Sequence, residues 1–273
     1  MASDFSQLKV GFIGAGNMAY GIVKGILKSG YIIPANVTVS APSANNFARF
    51  QKMGVHLVHS NVDTVSGTQL VFLAVKPHLI RTVVTEVLPH LTERHTIVSV
   101  AAGVTLETLE QLLPAEVGTV RLMPNLPCVL QEGALLFARG STATPETGTL
   151  LKCLLSACGA VEEGPESWID IHTGLSGSGV AFVYLFAEAM AEGAVKMGMP
   201  SVLAQRIAAQ TILGAGHMLR DSGKPAAVLR GDVCTPGGTT IYGLHALEKG
   251  GVRSAAMSAV EAATERAREL GQK

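Results

Sequence analysis

The chain has 273 residues, enough for one large domain or for two smaller domains that each bury a core. Hydrophobic residues make up 48% of it and charged residues only 15%, so we expect part of the surface to be buried between subunits. Lysine plus arginine and aspartate plus glutamate number 21 each. This balance gives no support to binding of nucleic acid or of a membrane surface.

The chain carries four cysteines, Cys128, Cys153, Cys158 and Cys234. None belongs to a C-x-x-C pair, so neither a zinc site nor a thioredoxin-type site is expected, and no metal is predicted. We interpret all four as buried, reduced thiols, because free cysteine usually behaves as a small apolar residue.

The N-terminal residues MASDFSQLKVGFIG carry an acid early and enter a strand almost at once. They lack the apolar segment of a signal peptide and the arginine-rich character of a transit peptide. Glu188 and Glu192 interrupt the apolar run VAFVYLFAEAMAEGAV, so no membrane-spanning segment is predicted. We therefore expect a cytoplasmic protein without a membrane partner.

Strand-like runs alternate with helical ones from residue 8 to about residue 165. The predicted strands are LKVGFI, VTVSA, QLVFLAV, HTIVSVAAG and VGTVRLMPN. The predicted helices are NMAYGIVKGILKSG, ANNFARFQKMG, HLIRTVVTEVL and TLETLEQLL. Because the strands are almost continuously apolar, they indicate a parallel, doubly wound α/β sheet in a first domain, residues 1–165.

Long alanine-rich helices dominate the rest of the chain, which we assign to a second domain, residues 166–273. They are VAFVYLFAEAMAEGAVKMG, VLAQRIAAQTILGAGHMLRD and VRSAAMSAVEAATERARELG. Broad apolar faces with many small residues permit close contact between helices. We interpret this domain as all-helical and as part of a subunit interface.

A glycine-rich turn, in KVGFIGAGNMAYGI, joins the first predicted strand to the first helix. It places Gly14, Gly16 and Ala19 in the G-x-G-x-x-G/A spacing of dinucleotide-binding units. Gly14 permits the tight turn, Gly16 lets the backbone approach a pyrophosphate, and Ala19 lets the helix pack on the strand. The turn predicts a Rossmann-type domain; a tight turn without a ligand is the alternative.

The end of the second strand, VSAPSANN, bears on the choice of dinucleotide. Sites for NAD place an acid there to bind the ribose 2′-hydroxyl, and this segment has none. Ser40 and Ser43 can donate to a 2′-phosphate instead, which favours NADPH. Because no arginine stands in the segment, we expect moderate selectivity and consider NADH as well.

Two further strand ends are expected at the same crevice, since ligands bind at the carboxyl ends of parallel strands. These stretches are Ala74, Val75, Lys76 and Pro77, and Ala101, Ala102 and Gly103. Lys76 either reaches a ligand or is an ordinary surface lysine. Asn61, in HSNVD before the predicted strand QLVFLAV, either bonds the adenosine ribose or caps a helix.

Two polar turns are predicted to open helices in the second domain. One is SGSG, at Ser176, Gly177, Ser178 and Gly179, and the other is TPGGTT, which includes Thr235, Gly237, Gly238, Thr239 and Thr240. Backbone N–H groups at a helix start suit a small anion such as a carboxylate, so we expect one shared substrate pocket. The alternative is that both are ordinary caps whose hydroxyls serve only the backbone.

The motifs GFIGAGNMA, AVKPH, AAGV, MPNLP, GLSGSG and TPGGTT occur in this order, and together they resemble the pyrroline-5-carboxylate reductase family. The resemblance runs from about residue 8 to the C-terminus and is greatest to the shorter cytosolic members. It implies a Rossmann domain joined to a helical dimerisation domain, in dimers that assemble into decamers. It also implies reduction of 1-pyrroline-5-carboxylate to proline by NADPH.

The resemblance also implies roles for individual residues. The cofactor pyrophosphate is expected at Ile13, Gly14, Ala15, Gly16, Asn17 and Met18, and the substrate at the two polar turns. Thr240 matches the family threonine whose hydroxyl faces the imine nitrogen, and it is the predicted catalytic residue. Glu166 falls where members carry an acid near the substrate.

Three positions depart from the family pattern. Val180 stands where a proline is common, Ala41 where many members have a serine, and Asp232 where an asparagine is frequent. Because Ala41 and Asp232 lie near the expected cofactor site, they leave the choice between NADPH and NADH open.

Two other functions fit the same domain plan. One is another NADP-dependent reductase or a β-hydroxyacid dehydrogenase, which generally relies on a catalytic lysine; Lys196 is the mid-helix candidate here. The other is a cofactor-binding scaffold without catalysis, which the two polar turns disfavour. His172 and His245 lie near those turns and are interpreted as structural residues.

Overall fold

The computed structural model describes residue 5 and residues 7–271. Within this part of the chain, one sheet of eight strands organises the N-terminal portion. The strands are β1 (Val10–Ile13), β2 (Val37–Ser40), β3 (His56–Val58), β4 (Leu70–Leu73), β5 (Thr96–Ser99), β6 (Gly118–Met123), β7 (Gly133–Arg139) and β8 (Gly159–Glu163). Their order is β3-β2-β1-β4-β5-β6-β7-β8, and β1 to β6 pair in parallel. The predicted Rossmann-type sheet is confirmed.

The last two strands were not predicted. β7 runs antiparallel to β6, and β8 pairs in parallel with β7. The connection 124–132 is shorter than the dozen or so residues that a parallel crossover needs, so the chain reverses there. Gln131 makes the reversal in the left-handed region, at φ 62°. β8 alternates between half-buried and exposed residues, so it lacks the continuous apolar run of the inner strands.

Twelve α-helices accompany the sheet in the described residues. The first seven are α1 (Asn17–Lys28), α2 (Phe47–Gln51), α3 (Asn61–Ser66), α4 (Ile80–Val87), α5 (Leu106–Leu112), α6 (Pro145–Leu155) and α7 (Ser167–His172). The others are α8 (Gly179–Lys196), α9 (Ser201–Asp221), α10 (Ala226–Asp232), α11 (Thr239–Lys249) and α12 (Val252–Gly271). The predicted all-helical C-terminal portion is confirmed.

The described residues form two compact units. The first holds the residues up to Gly177 and those from Ala262 onward, and the second is Ser178–Glu261. The division lies C-terminal to the boundary predicted between residues 165 and 166, because α7 packs against β6 and β7 of the sheet.

Both faces of the sheet are buried, as its apolar strands require. On one face the rings of Phe12 and Phe72 stack at 4.6 Å, and Ile22 of α1 packs into the same cluster. On the other face, Ile13 and Leu109 belong to a second cluster. This packing fixes the carboxyl end of β1 and the start of α1, where the glycine-rich turn lies.

The GLSGSG segment differs from the predicted turn. Thr173–Gly177 is a π-helix, and helical backbone runs from Ser167 to Lys196. Ser178 also has right-handed helical angles, φ −80° and ψ −34°. The glycines therefore widen a helix and do not open one. π-Helical turns are rare in proteins, and those that do occur are often found at functional sites.

The helices of the second unit bury few side chains. Ala191 of α8 packs with Ala204 and Ala208 of α9, so small residues do permit the predicted close contact. Large apolar side chains remain exposed, among them Tyr184 and Leu185. The helical stretch Ser167–Lys196 is long and apolar enough to cross a membrane by length and composition, despite its glutamates, and only 11% of its most apolar window is buried. Exposed apolar surface on a long helix is typical of an interaction site.

Candidate functional site

The glycine-rich turn forms an open cradle at the carboxyl end of β1. Gly14 has φ +108°, and a Cβ there would lie 2.5 Å from the carbonyl oxygen of Ala74. Its N–H donates to the carbonyl of Ser40 over 2.8 Å, which ties the turn to the end of β2. Gly14 thus holds a position that only glycine fits.

Gly16 has a different role in the same turn. It is the extended N-cap of α1, which has no side-chain cap, and a Cβ there would meet nothing within 4 Å. Ala19 is fully buried, as its packing role predicts. Uncapped N–H groups at the start of a helix, next to open space, fit the pyrophosphate of a dinucleotide.

The other residues of this turn offer mainly their backbone. The side chain of Ile13 is buried in the core, Ala15 is buried, and Met18 packs partly against the core. Asn17 is exposed, and its Oδ1 accepts from Nη1 of Arg49 over 2.7 Å. The structure therefore brings Arg49 to the cradle, although this arginine was not among the predicted site residues.

Ser40 and Asn61 are brought together at the end of β2. The hydroxyl of Ser40 is buried and donates to Oδ1 of Asn61 over 2.8 Å. The Asn61 amide in turn donates to Glu86 over 2.8 Å, and Ser60 rather than Asn61 caps α3. Ser40 is thus occupied in orienting Asn61, and the helix-cap alternative for Asn61 is wrong. Ser43 is exposed nearby.

The ends of β4 and β5 lie at the same edge of the sheet, since both strands are parallel to β1. Val75 lies near Gly14, and Lys76 and Pro77 are exposed at the start of a 3-10 turn. After β5, Ala101 is buried and Ala102 is half-buried. Gly103 has φ +77°, and a Cβ there would lie 3.1 Å from Leu270 near the end of α12. The C-terminal helix therefore packs on this predicted cofactor stretch.

Asn125, just beyond β6, positions the π-helix. Its Nδ2 donates to Oγ of Ser176 over 2.9 Å, and its Oδ1 accepts from the N–H of Ala134 over 2.9 Å. A Cβ at Gly177 would lie 3.0 Å from the end of Met123, so this glycine permits a close approach. Asn125 is buried and fully engaged, and the motif MPNLP was its signal in the sequence.

The half-buried Glu166 lies in a charge cluster around the buried Arg121. Its Oε1 accepts from Nη1 of Arg121 over 3.1 Å and from the N–H of Leu106, the first residue of α5, over 2.7 Å. Arg121 also bonds Asp170 over 2.5 Å, and only 3% of Arg121 is exposed. These contacts join β6, α5 and α7, so Glu166 has a structural role whatever it does for a substrate.

His172, which ends α7, is partly buried and bonded to the backbone. Burial lowers the pKa of His172 below its usual 6.5, although its ring nitrogen Nε2 lies 3.2 Å from the carbonyl of Ala134.

Burial raises the pKa of Cys128 to about 11 and that of Cys158 to about 12. All four cysteines are free thiols, but Cys153 and Cys234 are only half-buried, so the prediction of four buried thiols is wrong for these two. Within the described chain, no group of three metal-ligating side chains occurs.

The TPGGTT turn opens α11, as predicted. Gly237 has φ +69°, and Gly238 is the extended N-cap, whose N–H donates to the carbonyl of Thr235. Thr239 and Thr240 are the first residues of the helix, which has no side-chain cap. This turn, Ser178, Gly179 and the exposed His245 belong to the second unit, whereas Ser176 and Gly177 belong to the first.

A largely parallel sheet with a glycine cradle at its carboxyl edge is typical of dinucleotide-binding proteins, and here it precedes a helical unit with exposed apolar side chains. Residues 166–270 match the family model for pyrroline-5-carboxylate reductase dimerisation. Residues 9–103 match the model for NADP oxidoreductase, coenzyme F420-dependent.

The chain is 64% identical over 270 residues to pyrroline-5-carboxylate reductase 3 of Danio rerio, covering 99% of this chain and 94% of the relative. It is similar to a solved pyrroline-5-carboxylate reductase from Coxiella burnetii, with a TM-score of 0.91, 34% identity and coverage of 97% and 99%. The Plasmodium falciparum pyrroline carboxylate reductase, solved with NADP bound, gives a TM-score of 0.87, 30% identity and coverage of 97% and 99%. The chain belongs to the pyrroline-5-carboxylate reductase family.

Proposed function

We propose that this protein transfers a hydride from NADPH to the C=N bond of 1-pyrroline-5-carboxylate and so produces L-proline, the last step of proline synthesis. The observation that carries the proposal is the cradle of Gly14 and Gly16, in a chain that matches a pyrroline-5-carboxylate reductase over 99% of its length. The cradle supports a bound dinucleotide, and the family membership supports the substrate.

The cofactor is proposed to be NADPH, with NADH as a weaker alternative. The Plasmodium relative was solved with NADP bound, and the end of β2 carries no acid that would repel a 2′-phosphate. When bound, the reduced nicotinamide supplies the hydride. The uncapped start of α1 would hold the pyrophosphate, and the nicotinamide is proposed to lie near Ala101, Ala102 and Gly103.

The substrate carboxylate is proposed to bind at the segment Ser176–Gly179, and the imine nitrogen to face Thr240. Asn125 supports the carboxylate part of this proposal, because it fixes Ser176 from a buried position. A cyclic imine can bind already protonated, so the Thr240 hydroxyl orients and stabilises the nitrogen and need not act as an acid. A threonine hydroxyl would be a poor general acid, since the ideal pKa lies near the working pH.

Replacing Thr240 tests this role. We expect Thr240→Ala to slow hydride transfer substantially without abolishing it, and Thr240→Ser, which keeps the hydroxyl, to restore most of the rate. Single-turnover rates with enzyme-bound NADPH measure the step directly. An unchanged single-turnover rate in Thr240→Ala contradicts the assignment.

The reaction class is tested by substrate choice. NADPH oxidation is followed with pyrroline-5-carboxylate and, separately, with 2-hydroxy and keto acids. We expect turnover with the imine alone. The β-hydroxyacid dehydrogenase alternative needs Lys196, but this residue is exposed at the last position of α8 and not in mid-helix. Turnover of hydroxy acids that depends on Lys196 would favour that alternative.

The assembly is proposed to be a dimer formed through the helical unit, within a decamer. The match of residues 166–270 to a dimerisation model supports the pairing. The decamer and the cytoplasmic location stay predictions.

A further inference from the structure

Within the described part of the chain, Arg49 is the arginine whose side chain bonds the glycine cradle. Its Nη2 donates to the carbonyl oxygen of Ala15 over 2.8 Å, and its Nη1 donates to Oδ1 of Asn17 over 2.7 Å. Both acceptors belong to the turn between β1 and α1. The cation of α2 is therefore held beside the start of α1.

The guanidinium is oriented by two aromatic rings. Its central carbon lies 4.9 Å from the ring centre of Tyr20 and 5.3 Å from that of Phe50. Phe50 is fully buried, and the Tyr20 ring packs edge-on against it. Since stacking on rigid rings restricts a long side chain, the position of Arg49 is preorganised.

The charge of Arg49 is not neutralised by the protein. No carboxylate forms an ion pair with it in the described chain. Its Nε–H is buried without an acceptor, and a guanidinium has further N–H groups beyond the two that bond the turn. Arg49 is half-buried overall, so part of it faces solvent. An unpaired, oriented arginine with spare donors suits a phosphate.

The position of Arg49 indicates which phosphate group of a bound dinucleotide it would contact. The Gly14 N–H bonds the Ser40 carbonyl, so the cradle and the end of β2 are adjacent, and the adenosine ribose of a Rossmann dinucleotide lies at this junction. In sites for NADP an arginine near this point accommodates the 2′-phosphate. We infer that Arg49 recognises the 2′-phosphate of NADPH and sets the preference over NADH, an inference that rests on the proposed function.

The test measures binding of two fragments by isothermal titration calorimetry, apart from any turnover. Adenosine 2′,5′-bisphosphate carries the 2′-phosphate, and 5′-AMP lacks it. In Arg49→Ala we expect the affinity for the bisphosphate to fall about tenfold or more and that for 5′-AMP to change less than about twofold. Arg49→Lys should fall between, because it keeps the charge but not the planar donors.

Lys52→Ala is the matched control, because it removes a cation just beyond the same helix from an exposed position. It should leave both affinities unchanged. An equal loss of both fragments in Arg49→Ala, or no loss of either, overturns the inference, since a merely structural arginine would affect them alike. If wild type reduces pyrroline-5-carboxylate but Arg49→Ala keeps its selectivity, only the inference fails. If wild type reduces no pyrroline-5-carboxylate, the proposed function fails, and fragment binding still decides the role of Arg49.

Discussion

Among single residues, Gly14 and Gly16 of the cradle have different roles, one in folding and the other in ligand binding. The methyl group of an alanine at position 14 would collide with the backbone of Ala74. The alanine would also have to adopt φ +108°, which L-residues rarely do. At Gly16 the same group meets only open space, at φ −76°. The first glycine is therefore required by the fold, and the second by the ligand.

We accordingly predict different outcomes for the two alanine variants. Gly14→Ala should lower both the melting temperature and NADPH binding. Gly16→Ala should keep the wild-type melting temperature and lose NADPH affinity by about tenfold or more, because its methyl group occupies the approach to the helix start. Thermal denaturation and NADPH titration measure the two effects. Normal NADPH affinity in a folded Gly16→Ala protein would contradict the cradle.

Asn125 gives a second prediction at this scale. Asn125→Ala removes the partner of Ser176 and leaves the half-buried N–H of Ala134 without its acceptor. We expect a loss of about 1–3 kcal/mol in unfolding free energy and a raised KM for pyrroline-5-carboxylate, with NADPH affinity unchanged. Gln111→Ala, which removes an exposed amide that bonds Glu107 within α5, is the control. A KM that stays at the wild-type value would show that Asn125 does not support the substrate segment.

The position of the glycine cradle and of the strand ends beside it could be predicted, because the glycine spacing and the strand ends are local features. Arg49 was missed because it lies in the helix after β2, and only the tertiary fold brings it to the cradle. Asn125 was missed because its partners, Ser176 and Ala134, are distant in sequence or on another strand.

At the scale of secondary-structure elements, the sequence predicted periodic segments well and their interruptions poorly. The central strands β1 and β4 carry no polar side chain, and the parallel order of the sheet follows from the alternation of strands with helices. The π-helix at Thr173–Gly177 was mistaken for a turn, because glycine and serine favour both irregular backbone and turns. Its geometry depends on contacts with Met123 and Asn125, which the local sequence does not contain.

The charge cluster around the buried Arg121 links β6, α5 and α7. Arg121→Leu would leave the half-buried Glu166 and Asp170 without their cation. We predict a loss of about 3–5 kcal/mol in unfolding free energy, measured by denaturant titration. Arg139→Leu, which breaks a more exposed pair with Glu163, should cost less. Equal losses in the two variants would contradict the structural role of the cluster.

Denaturant titration also distinguishes a structural role of Glu166 from a role in substrate binding. If its part is structural, Glu166→Gln, which keeps an acceptor for the Leu106 N–H, should be milder than Glu166→Ala in stability. A raised KM at unchanged stability would instead support the predicted contact with the substrate.

At the scale of the whole molecule, the apolar composition is explained by the helical unit. Leu185 of α8 is 67% exposed and Tyr184 is 61% exposed, in a region that matches a dimerisation model. Isolated apolar residues are common on surfaces, but a long helix with an exposed apolar face indicates a partner.

We predict that Leu185→Arg weakens the dimer, because an unpaired charge would have to be buried in the interface. Sedimentation velocity should show a shift towards the monomer as the protein is diluted. Ile33→Arg, at a position 59% exposed in the first unit, should leave the assembly unchanged. A Leu185→Arg protein as fully dimeric as the wild type would place the interface elsewhere.

A hydride should pass directly from a dinucleotide held by the glycine cradle to the imine carbon of the substrate. This transfer is tested by mass spectrometry of the product formed with NADPH deuterated at the transferable position of C4. We predict proline with one deuterium on the ring carbon that had carried the C=N bond. Unlabelled proline, or no proline at all, would contradict it.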